Sequence, residues 1–339
     1  MVKEFHGEVV HKKKKYKLDS LDKDIITLLG INSRLSLSFI GKLLKKRPDT
    51  IKYRLDNLEN KDIIPGYMTY VSLNNLKKST FLILFKFNEF SEFENIIEKL
   101  KNMKNNYIIQ LAGGNWDLRI YVYSNSIEEF NSVFNNILKE ISGSIKEYLI
   151  LQMIKKIYTG IKMLSDKSFN INQTNYRINR SSFQKQLIKN KKKTEWDEQD
   201  IKILNILHNN ARISIKDLSE KIDLATTSIF ERIKKLVSGK IITSFFPQVS
   251  LLSLGYQWYK ILIRVNPVSL EKIKNFLKNH PNTTFISEFI GEYNLQASIF
   301  AKNQKQLYNV LREIRTKYSK DILSYETQIV FSQIKNKLI

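Results

Sequence analysis

The spacing of apolar residues predicts three short helices near the start of the chain. In DKDIITLLGINSRLS the apolar residues recur three and four positions apart, which places them on one face of a helix. SFIGKLLKK predicts a second helix, and TIKYRLDNLENKDII predicts a third with Ile51, Leu55 and Leu58 on its inner face. Three short helices followed by a short strand are the plan of a winged helix-turn-helix.

The pattern then changes to one typical of a sheet covered by helices. The strand TFLILFKF is followed by the helix SEFENIIEKLKNM, the strands NYIIQLA and WDLRIYVY, the helix SIEEFNSVFNNILKEI and the strand IKEYLILQMI. This βαββαβ order predicts a ferredoxin-like sandwich, in which four antiparallel strands carry two helices on one face. The predicted fold class is therefore α+β.

Both patterns occur twice along the chain. A constant offset of 178 relates residues 21–67 to residues 199–245, with eleven identical positions and no gap. The turn GGNWDLRIYV at 113–122 is matched by GEYNLQASIF at 291–300. Because similarity at a fixed period indicates repeated structural units, we predict two tandem copies of a unit of about 140 residues.

Six segments follow from these patterns. The linker is assigned from composition, because residues 155–196 contain eleven Lys or Arg against two acidic residues and FNINQTNYRINRSS has no helical or strand period. The predicted segments are a basic tail (1–17), winged helix-turn-helix 1 (18–74), ferredoxin-like domain 1 (78–157), a basic linker (158–193), winged helix-turn-helix 2 (194–252) and ferredoxin-like domain 2 (256–335).

The formal net charge of +23 is large, with 56 Lys and Arg against 33 Asp and Glu. An excess of this size favours a polyanionic partner such as double-stranded DNA. A Lys- and Asn-rich genome whose proteins are all basic would produce the same charge, so charge alone does not decide between these interpretations.

Several kinds of chemistry are excluded or disfavoured. The chain has no Cys, which removes disulfides, thiolate zinc sites and cysteine nucleophiles. Its four His lack metal-ligand spacing, and His208 is expected as a surface imidazole. We therefore predict no catalytic residue, no metal site and no cofactor. Since no apolar run approaches the roughly 18 residues of a membrane span and the N-terminus has no apolar signal region, a cytoplasmic protein without a membrane partner is expected.

The order of motifs resembles the Lrp/AsnC (feast/famine) family of transcription regulators. The resemblance is carried by LDKDIITLLGINSRLS, IKYRLDNLENKDIIPGY and GGNWDLRIYV, and by the weaker second copies DEQDIKILNILHNNARIS, IFERIKKLVSGKII and GEYNLQASIF. It covers both copies, which are most of the chain. It implies a sequence-specific regulator that binds double-stranded DNA and responds to a small effector such as an amino acid. It also implies paired sandwiches, either as a pseudo-dimer within the chain or as a homo-oligomer.

The third helix of each copy would enter the major groove. Arg54 and Arg232 have a second interpretation, an ion pair with Asp22 and Asp200 of the first helix. Because Glu231 would face phosphate, we expect the first copy to bind DNA more strongly than the second. The candidate DNA contacts are Arg47, Thr50, Lys52, Tyr53 and Arg54 in copy one, and Thr226, Thr227, Ser228, Phe230 and Arg232 in copy two.

In the resembled family, small effectors bind near a Gly-x-x-Asp segment where two sandwiches meet. Glycine would allow close backbone approach and Asp117 could take an amino group. A tight hairpin needs Gly, Asn and Asp in any case, so a purely structural role is the alternative. The effector residues that the resemblance implies are Gly114, Trp116 and Asp117, with Gly291, Tyr293 and Asn294 as counterparts.

Two other functions remain open at this point. Siroheme decarboxylases resemble the same architecture and carry His and Arg near the turn, whereas LAGGNWDLRI and FIGEYNLQAS contain no His and only Arg119 is nearby. General acid–base chemistry would therefore lack its usual groups. The third interpretation is an architectural protein that binds DNA with little sequence preference through its basic surfaces.

Overall fold

The structure is a computed structural model that describes residues 17–89, 93–141, 143–167, 169, 195–336 and 338. These residues form two compact units. The helix-turn-helix unit contains residues 17–76, 160–167, 169 and 195–250, and the barrel unit contains residues 77–89, 93–141, 143–159, 251–336 and 338. The predicted basic tail, except for its last residue, and most of the predicted linker lie outside the described residues.

Among the described residues, each half of the helix-turn-helix unit has three α-helices and one strand. The first half comprises α1 (Ser20–Ile31), α2 (Leu37–Leu44), α3 (Pro48–Asn60) and β1 (Gly66–Val71). The barrel unit begins with β2 (Ser79–Phe87), α4 (Phe93–Asn102), β3 (Asn106–Gly113), β4 (Leu118–Ser124), α5 (Ile127–Ile141) and β5 (Ile145–Tyr158).

The second half of the chain repeats this order of elements. Its helix-turn-helix comprises α6 (Glu198–Asn209), α7 (Ile215–Ile222), α8 (Thr226–Ser238) and β6 (Ile242–Gln248). The barrel unit is completed by β7 (Gln257–Val265), α9 (Leu270–Asn279), β8 (Thr283–Ile290), β9 (Leu295–Ala301), α10 (Gln304–Tyr318) and β10 (Ile322–Asn336).

The predicted inner face of α3 is buried, with Ile51 and Leu58 fully enclosed and Leu55 5% exposed. Ile229 and Leu236 of α8 are also fully enclosed. Burial of such an apolar stripe against the neighbouring helices supplies most of the stability of short helices.

The two halves of the helix-turn-helix unit are joined by their strands. β1 pairs with β6 in an antiparallel two-stranded sheet, from Gly66 opposite Gln248 to Val71 opposite Ile242. Each winged helix-turn-helix therefore completes its sheet with a strand from the other half of the chain.

The eight strands of the barrel unit close into one barrel in the order β10-β3-β4-β2-β5-β8-β9-β7. Within each half the strand order is that of a ferredoxin-like sandwich. The closure depends on the long strands: β5, with 14 residues, pairs with β2 along its first part and with β8 of the other half along its last part. β10 joins β7 to β3 in the same way.

Apolar side chains pack on both faces of the barrel sheet. On its outer face, α4 and α5 cover one apolar cluster and α9 and α10 cover a second. The inner face encloses a third cluster, which includes Leu82, Leu151, Leu262 and Phe289. Buried polar side chains also line this inner face, and they are described below.

Two expectations need correction. His208 is 7% exposed, not a surface imidazole, because β1 of the other half packs against α6 and the Thr69 carbonyl oxygen lies 3.2 Å from Nδ1 of His208. The first residues of the predicted linker are also packed, with Ile161 and Leu164 buried. Ser165 Oγ donates a hydrogen bond to Asp24 of α1 at 2.6 Å, which anchors this segment to the first helix. The polar composition of the segment did not predict this contact.

None of the helices among the described residues is both long and apolar enough to span a bilayer.

Candidate DNA-binding and effector sites

The start of α3 presents an exposed polar face. Arg47, Thr50, Lys52 and Tyr53 are all exposed, and Tyr53 shows 66% of its surface to solvent. A hydroxyl, an ammonium and a phenol on one exposed turn can donate hydrogen bonds to phosphates and base edges. The four predicted contacts therefore lie together on the surface.

The equivalent face of α8 has different chemistry. Thr226 and Thr227 are exposed, whereas Ser228 and Phe230 are partly buried. At the position equivalent to Tyr53, α8 has the exposed Glu231, whose Oε2 lies 3.4 Å from Nζ of Lys234. The exposed faces of α3 and α8 therefore differ, and the face of α8 carries a carboxylate.

Arg54 and Arg232 point toward carboxylates at the start of the first helix of their own half. Nη1 of Arg54 lies 2.5 Å from Asp19 and 3.3 Å from Asp22. The side-chain hydrogen bond to Asp19 is the main cause that raises the pKa of Arg54. The ion pair, which is one of the two interpretations that the sequence left open for Arg54, is present in the structure.

The second half has the same arrangement. Nη1 of Arg232 lies 2.8 Å from Asp197 and 2.9 Å from Asp200. The hydrogen bond from Arg232 is the main cause that lowers the pKa of Asp197. Both guanidinium groups form ion pairs with carboxylates, and DNA contact by Arg54 and Arg232 stays a prediction.

The N-termini of the recognition helices are distinct within the helix-turn-helix unit. α1, α2, α6 and α7 each begin with a side chain that accepts a backbone N–H, namely Asp19, Ser36, Asp197 and Ser214. The residues that precede α3 and α8 make no side-chain cap. The backbone N–H groups of the first turn, which begin at Asp49 in α3 because Pro48 has none, can therefore bind phosphate, and the helix dipole favours an anion there.

Two arginines hold the two helix-turn-helix halves together. Arg34 Nη1 donates to the Ala211 and Ile213 carbonyl oxygens at 2.6 and 3.2 Å. Arg212 Nη1 donates to the Ser33 and Leu35 carbonyl oxygens, the second at 3.3 Å. The halves are thus fixed to each other by reciprocal contacts.

The two glycine turns of the barrel unit need glycine for backbone reasons. Gly114 has φ +115° and Gly291 has φ +139°, a region that side chains with a Cβ rarely adopt. A Cβ at Gly114 would lie 3.1 Å from the Thr327 carbonyl oxygen of β10, and one at Gly291 would lie 2.6 Å from Leu151 of β5. Each turn therefore lies against the last strand of the other half.

Asp117 and Asn294 have matching structural contacts. A carboxylate oxygen of Asp117 accepts the N–H of Phe87 at 2.9 Å. Asn294 accepts the N–H of Val265 and donates to its carbonyl oxygen, both at 2.8 Å. Both side chains form hydrogen bonds with the backbone of the last residue of a neighbouring strand. This is the structural role that the sequence left as an alternative. An effector contact by either residue stays a prediction.

Trp116 and Tyr293, from the two different turns, meet at one carboxylate. Trp116 Nε1 lies 3.2 Å and Tyr293 Oη 3.3 Å from the same oxygen of Glu326. Both aromatic side chains are at least nine-tenths buried. Burial, together with the charges of Glu326 and Glu292, raises the pKa of Tyr293 to about 12.

Sequence reasoning missed Glu326 and the polar groups that face the inside of the barrel. Glu326 Oε1 accepts a hydrogen bond from Gln328 at 2.7 Å, and Gln328 in turn accepts one from the fully buried Arg119. The alternation of Glu326, Gln328 and Val330 along β10 was the available signal, because every second residue of a strand lies on one face. This alternation shows which residues share a face of the strand, but it does not show that the face lies inside a barrel.

Known families match the second half of the chain. The model for winged helix-turn-helix DNA-binding matches residues 197–243, and the Lrp/AsnC ligand binding domain matches residues 260–338. The HTH-type transcriptional regulator FL11 of Pyrococcus horikoshii is 31% identical over 116 residues, which are 34% of this chain and 77% of that regulator. The chain belongs to the Lrp/AsnC family. It is a DNA-binding transcription regulator with a ligand-binding domain, as the motifs predicted.

Two further comparisons agree with the fold of this family member. An HTH-type transcriptional regulator of Methanocaldococcus jannaschii is 29% identical over 118 residues, which are 34% of this chain and 80% of that protein. The crystal structure of the siroheme decarboxylase NirDL superposes with a TM-score of 0.61 over 95% of this chain and 94% of that chain. At 12% sequence identity this likeness shows a shared fold alone.

Proposed function

We propose that one chain acts as an internal pseudo-dimer that reads two unlike half-sites in duplex DNA. The observation that carries this proposal is the pairing of β1 with β6, which joins both recognition helices within one compact unit. The operator of a dimeric helix-turn-helix protein has the same symmetry as the protein. Because α3 and α8 differ, the operator is asymmetric.

The halves are, we infer, tandem copies of one unit. The repeated order of elements supports this, as do the matching contacts at equivalent positions. Arg34 and Arg212 bind carbonyl oxygens of the opposite half, and Asp117 and Asn294 complete equivalent strands. The recognition surfaces have diverged while these structural contacts have not.

The stronger half-site belongs to α3. Lys52 and Tyr53 are exposed there, whereas α8 has the partly buried Phe230 and the acidic Glu231 at the equivalent positions. A lysine neutralises phosphate charge and a carboxylate repels it, so the two halves contribute unequally to affinity. Thr226 and Thr227 supply the exposed hydroxyl donors of the weaker half.

Selection of genomic fragments at about 150 mM salt with excess competitor DNA, followed by footprinting, tests this proposal. We expect a site with two unlike protected halves. K52A/Y53A should lose protection of one half, and T226A/T227A should lose protection of the other. K61A is the matched control, because Lys61 is exposed at the opposite end of α3.

Two results would overturn the proposal. Smooth loss of binding as salt rises, with no enriched fragment, would favour an architectural protein without sequence preference. Loss of both protected halves in each double variant would show that the two helices do not read separate half-sites.

We further infer that the barrel unit responds to a small effector and does not catalyse a reaction. The names of the relatives support this, and neither glycine turn carries a His for acid–base chemistry. Titration with siroheme, followed by absorbance and product analysis, is the test. Turnover to a decarboxylated product would replace the regulator-only assignment with an enzymatic one.

A further inference from the structure

A group of buried cations lies inside the barrel. Arg119 of β4 is fully buried and Lys260 of β7 is 3% exposed. The strand register places Lys260 opposite Gln328 of β10 and opposite Ser298 of β9, so these side chains share the inner face. An eight-stranded barrel has room for its own side chains or for one small ligand.

The partners of Arg119 are neutral. Its guanidinium donates to the side-chain oxygens of Gln110, Gln296, Gln328 and Tyr121, which come from both halves of the barrel. Among the described residues no carboxylate forms an ion pair with Arg119. The positive charge is held by hydrogen bonds to neutral groups.

Lys260 is also buried and also has a neutral hydrogen-bond partner. Its Nζ lies 3.2 Å from Ser298 Oγ and 4.7 Å from the centre of the Trp258 ring. An ammonium carries three donors, and within the described part of the chain only the bond to Ser298 uses one. A buried cation is costly unless an anion pairs with it, so this position favours a negatively charged partner.

Two further cationic groups lie close enough to Lys260 to act on its charge. Burial lowers the pKa of Lys260 well below its usual value, and Arg119 and Lys156 lower it further. Burial by itself raises the pKa of Tyr121, yet Arg119 and Lys156 bring it below the usual value for a phenol. Lys156 is only partly buried, so this corner of the interior reaches the surface.

A buried hydroxyl provides a second, independent observation. Ser287 of β8 is 1% exposed, and its Oγ has no hydrogen-bond partner among the described residues. The register places it opposite Lys156 on β5 and opposite Gln296 on β9. Ser287 and Lys260 therefore flank β9 from its two neighbouring strands. Buried polar groups normally find a partner, which makes this donor available to a ligand.

We propose that the barrel interior binds a small oxyanion, a carboxylate or a phosphate, through Lys260 and Ser287, with Arg119 supplying positive charge. This site rests on the proposed effector role of the barrel unit and gives its ligand a chemical class. Gln296 and Gln328 orient Arg119 and thereby keep the charge directed into the site.

The test uses the full chain without DNA, so its outcome does not depend on operator binding. Succinate, acetate and inorganic phosphate are titrated by calorimetry and by thermal unfolding, against chloride at equal ionic strength. We expect one site per chain and a rise in Tm with at least one oxyanion but not with chloride. Which probe binds distinguishes carboxylate from phosphate.

Variants assign the site. K260M should weaken binding by about 10- to 100-fold, since a charge-assisted bond is lost. S287A should weaken it by up to about tenfold and should fold normally, because the removed hydroxyl has no partner in the protein. K302M is the matched control, as Lys302 also lies over an aromatic ring, that of Tyr256, but is exposed.

Three results would overturn the inference. They are equal stabilisation by chloride, no binding heat with any oxyanion, and unchanged affinity in both K260M and S287A. Footprinting of the same variants keeps the two proposals separate, because failure of oxyanion binding leaves the DNA half-site result intact.

Discussion

Arg34 and Arg212 occupy equivalent positions in the two helix-turn-helix halves, and each donates to carbonyl oxygens of the other half. Each guanidinium also lies over an aromatic ring, Phe245 for Arg34 at 5.6 Å and Tyr67 for Arg212 at 5.1 Å. Since Arg donates from a rigid planar fork, this exchange fixes the relative orientation of the halves more firmly than apolar contact would.

Replacement of Arg34 should loosen this junction. R34M leaves the Ala211 and Ile213 carbonyl oxygens without their charged donor, and we expect a loss of about 2 kcal/mol from the local stability. Hydrogen exchange of the β1 and β6 amides measures it. Exchange in β1 and β6 that matches the wild-type protein would contradict the proposed role, and barrel amides serve as the internal control.

Lys52 should contribute a phosphate contact. K52A is expected to weaken DNA binding uniformly across sequences and to reduce the slope of log K against log salt by about 0.9. The salt dependence of binding to a defined site is the measurement. K61A should retain the wild-type slope, and an equal effect of both variants would indicate only a general loss of charge.

The turn glycines should be strict requirements. G291A places a Cβ 2.6 Å from Leu151 at a positive φ, so we expect destabilisation of about 1–3 kcal/mol. Urea unfolding of the barrel unit would report it. Gly143 provides the control, because a Cβ there meets nothing within 4 Å, and G143A should change the midpoint little.

Glu326 should control the ionisation of Tyr293. The carboxylate disfavours a phenolate beside it, so E326Q should lower the pKa of Tyr293 from about 12 toward its ordinary value. NMR titration of tyrosine labelled at Cζ, assigned with Y293F, follows the change. A pKa that stays the same in E326Q would leave burial and the charge of Glu292 as the causes.

Lys260 should make the stability of the barrel depend on pH. Its folded pKa is lowered by burial and by Arg119 and Lys156, so the unfolded chain binds more protons between that value and about 10.4. Stability attributable to Lys260 must therefore rise with pH across this window. The free energy of unfolding of the wild-type protein should rise relative to K260M.

Urea titrations at several pH values between 7 and 10 give this comparison, with K302M expected to follow the wild-type protein. Parallel pH profiles for the wild-type protein and K260M would show that Lys260 titrates alike in both states.

Local patterns were sufficient for the elements and for part of the site. Ile51, Leu55 and Leu58 share a helical face whatever lies opposite, and all three are buried. The exposure of the predicted DNA contacts on α3 follows from the same period, because they lie on the side of the helix opposite its buried face. Arg54 could not be assigned in this way, since its carboxylate partners lie 32 and 35 residues away in sequence, at the start of α1.

By itself the sequence determined the α+β class, the order of helices and strands and the family, because these depend on short-range period and on ordered motifs. Only the tertiary structure decided that β1 pairs with β6, that β5 and β10 close a single barrel, and that Trp116 and Tyr293 meet at Glu326. Alternation along a strand shows which side chains share a face. It cannot show which distant strand continues the sheet, and that pairing is what places Arg119, Lys260 and Ser287 inside the same barrel.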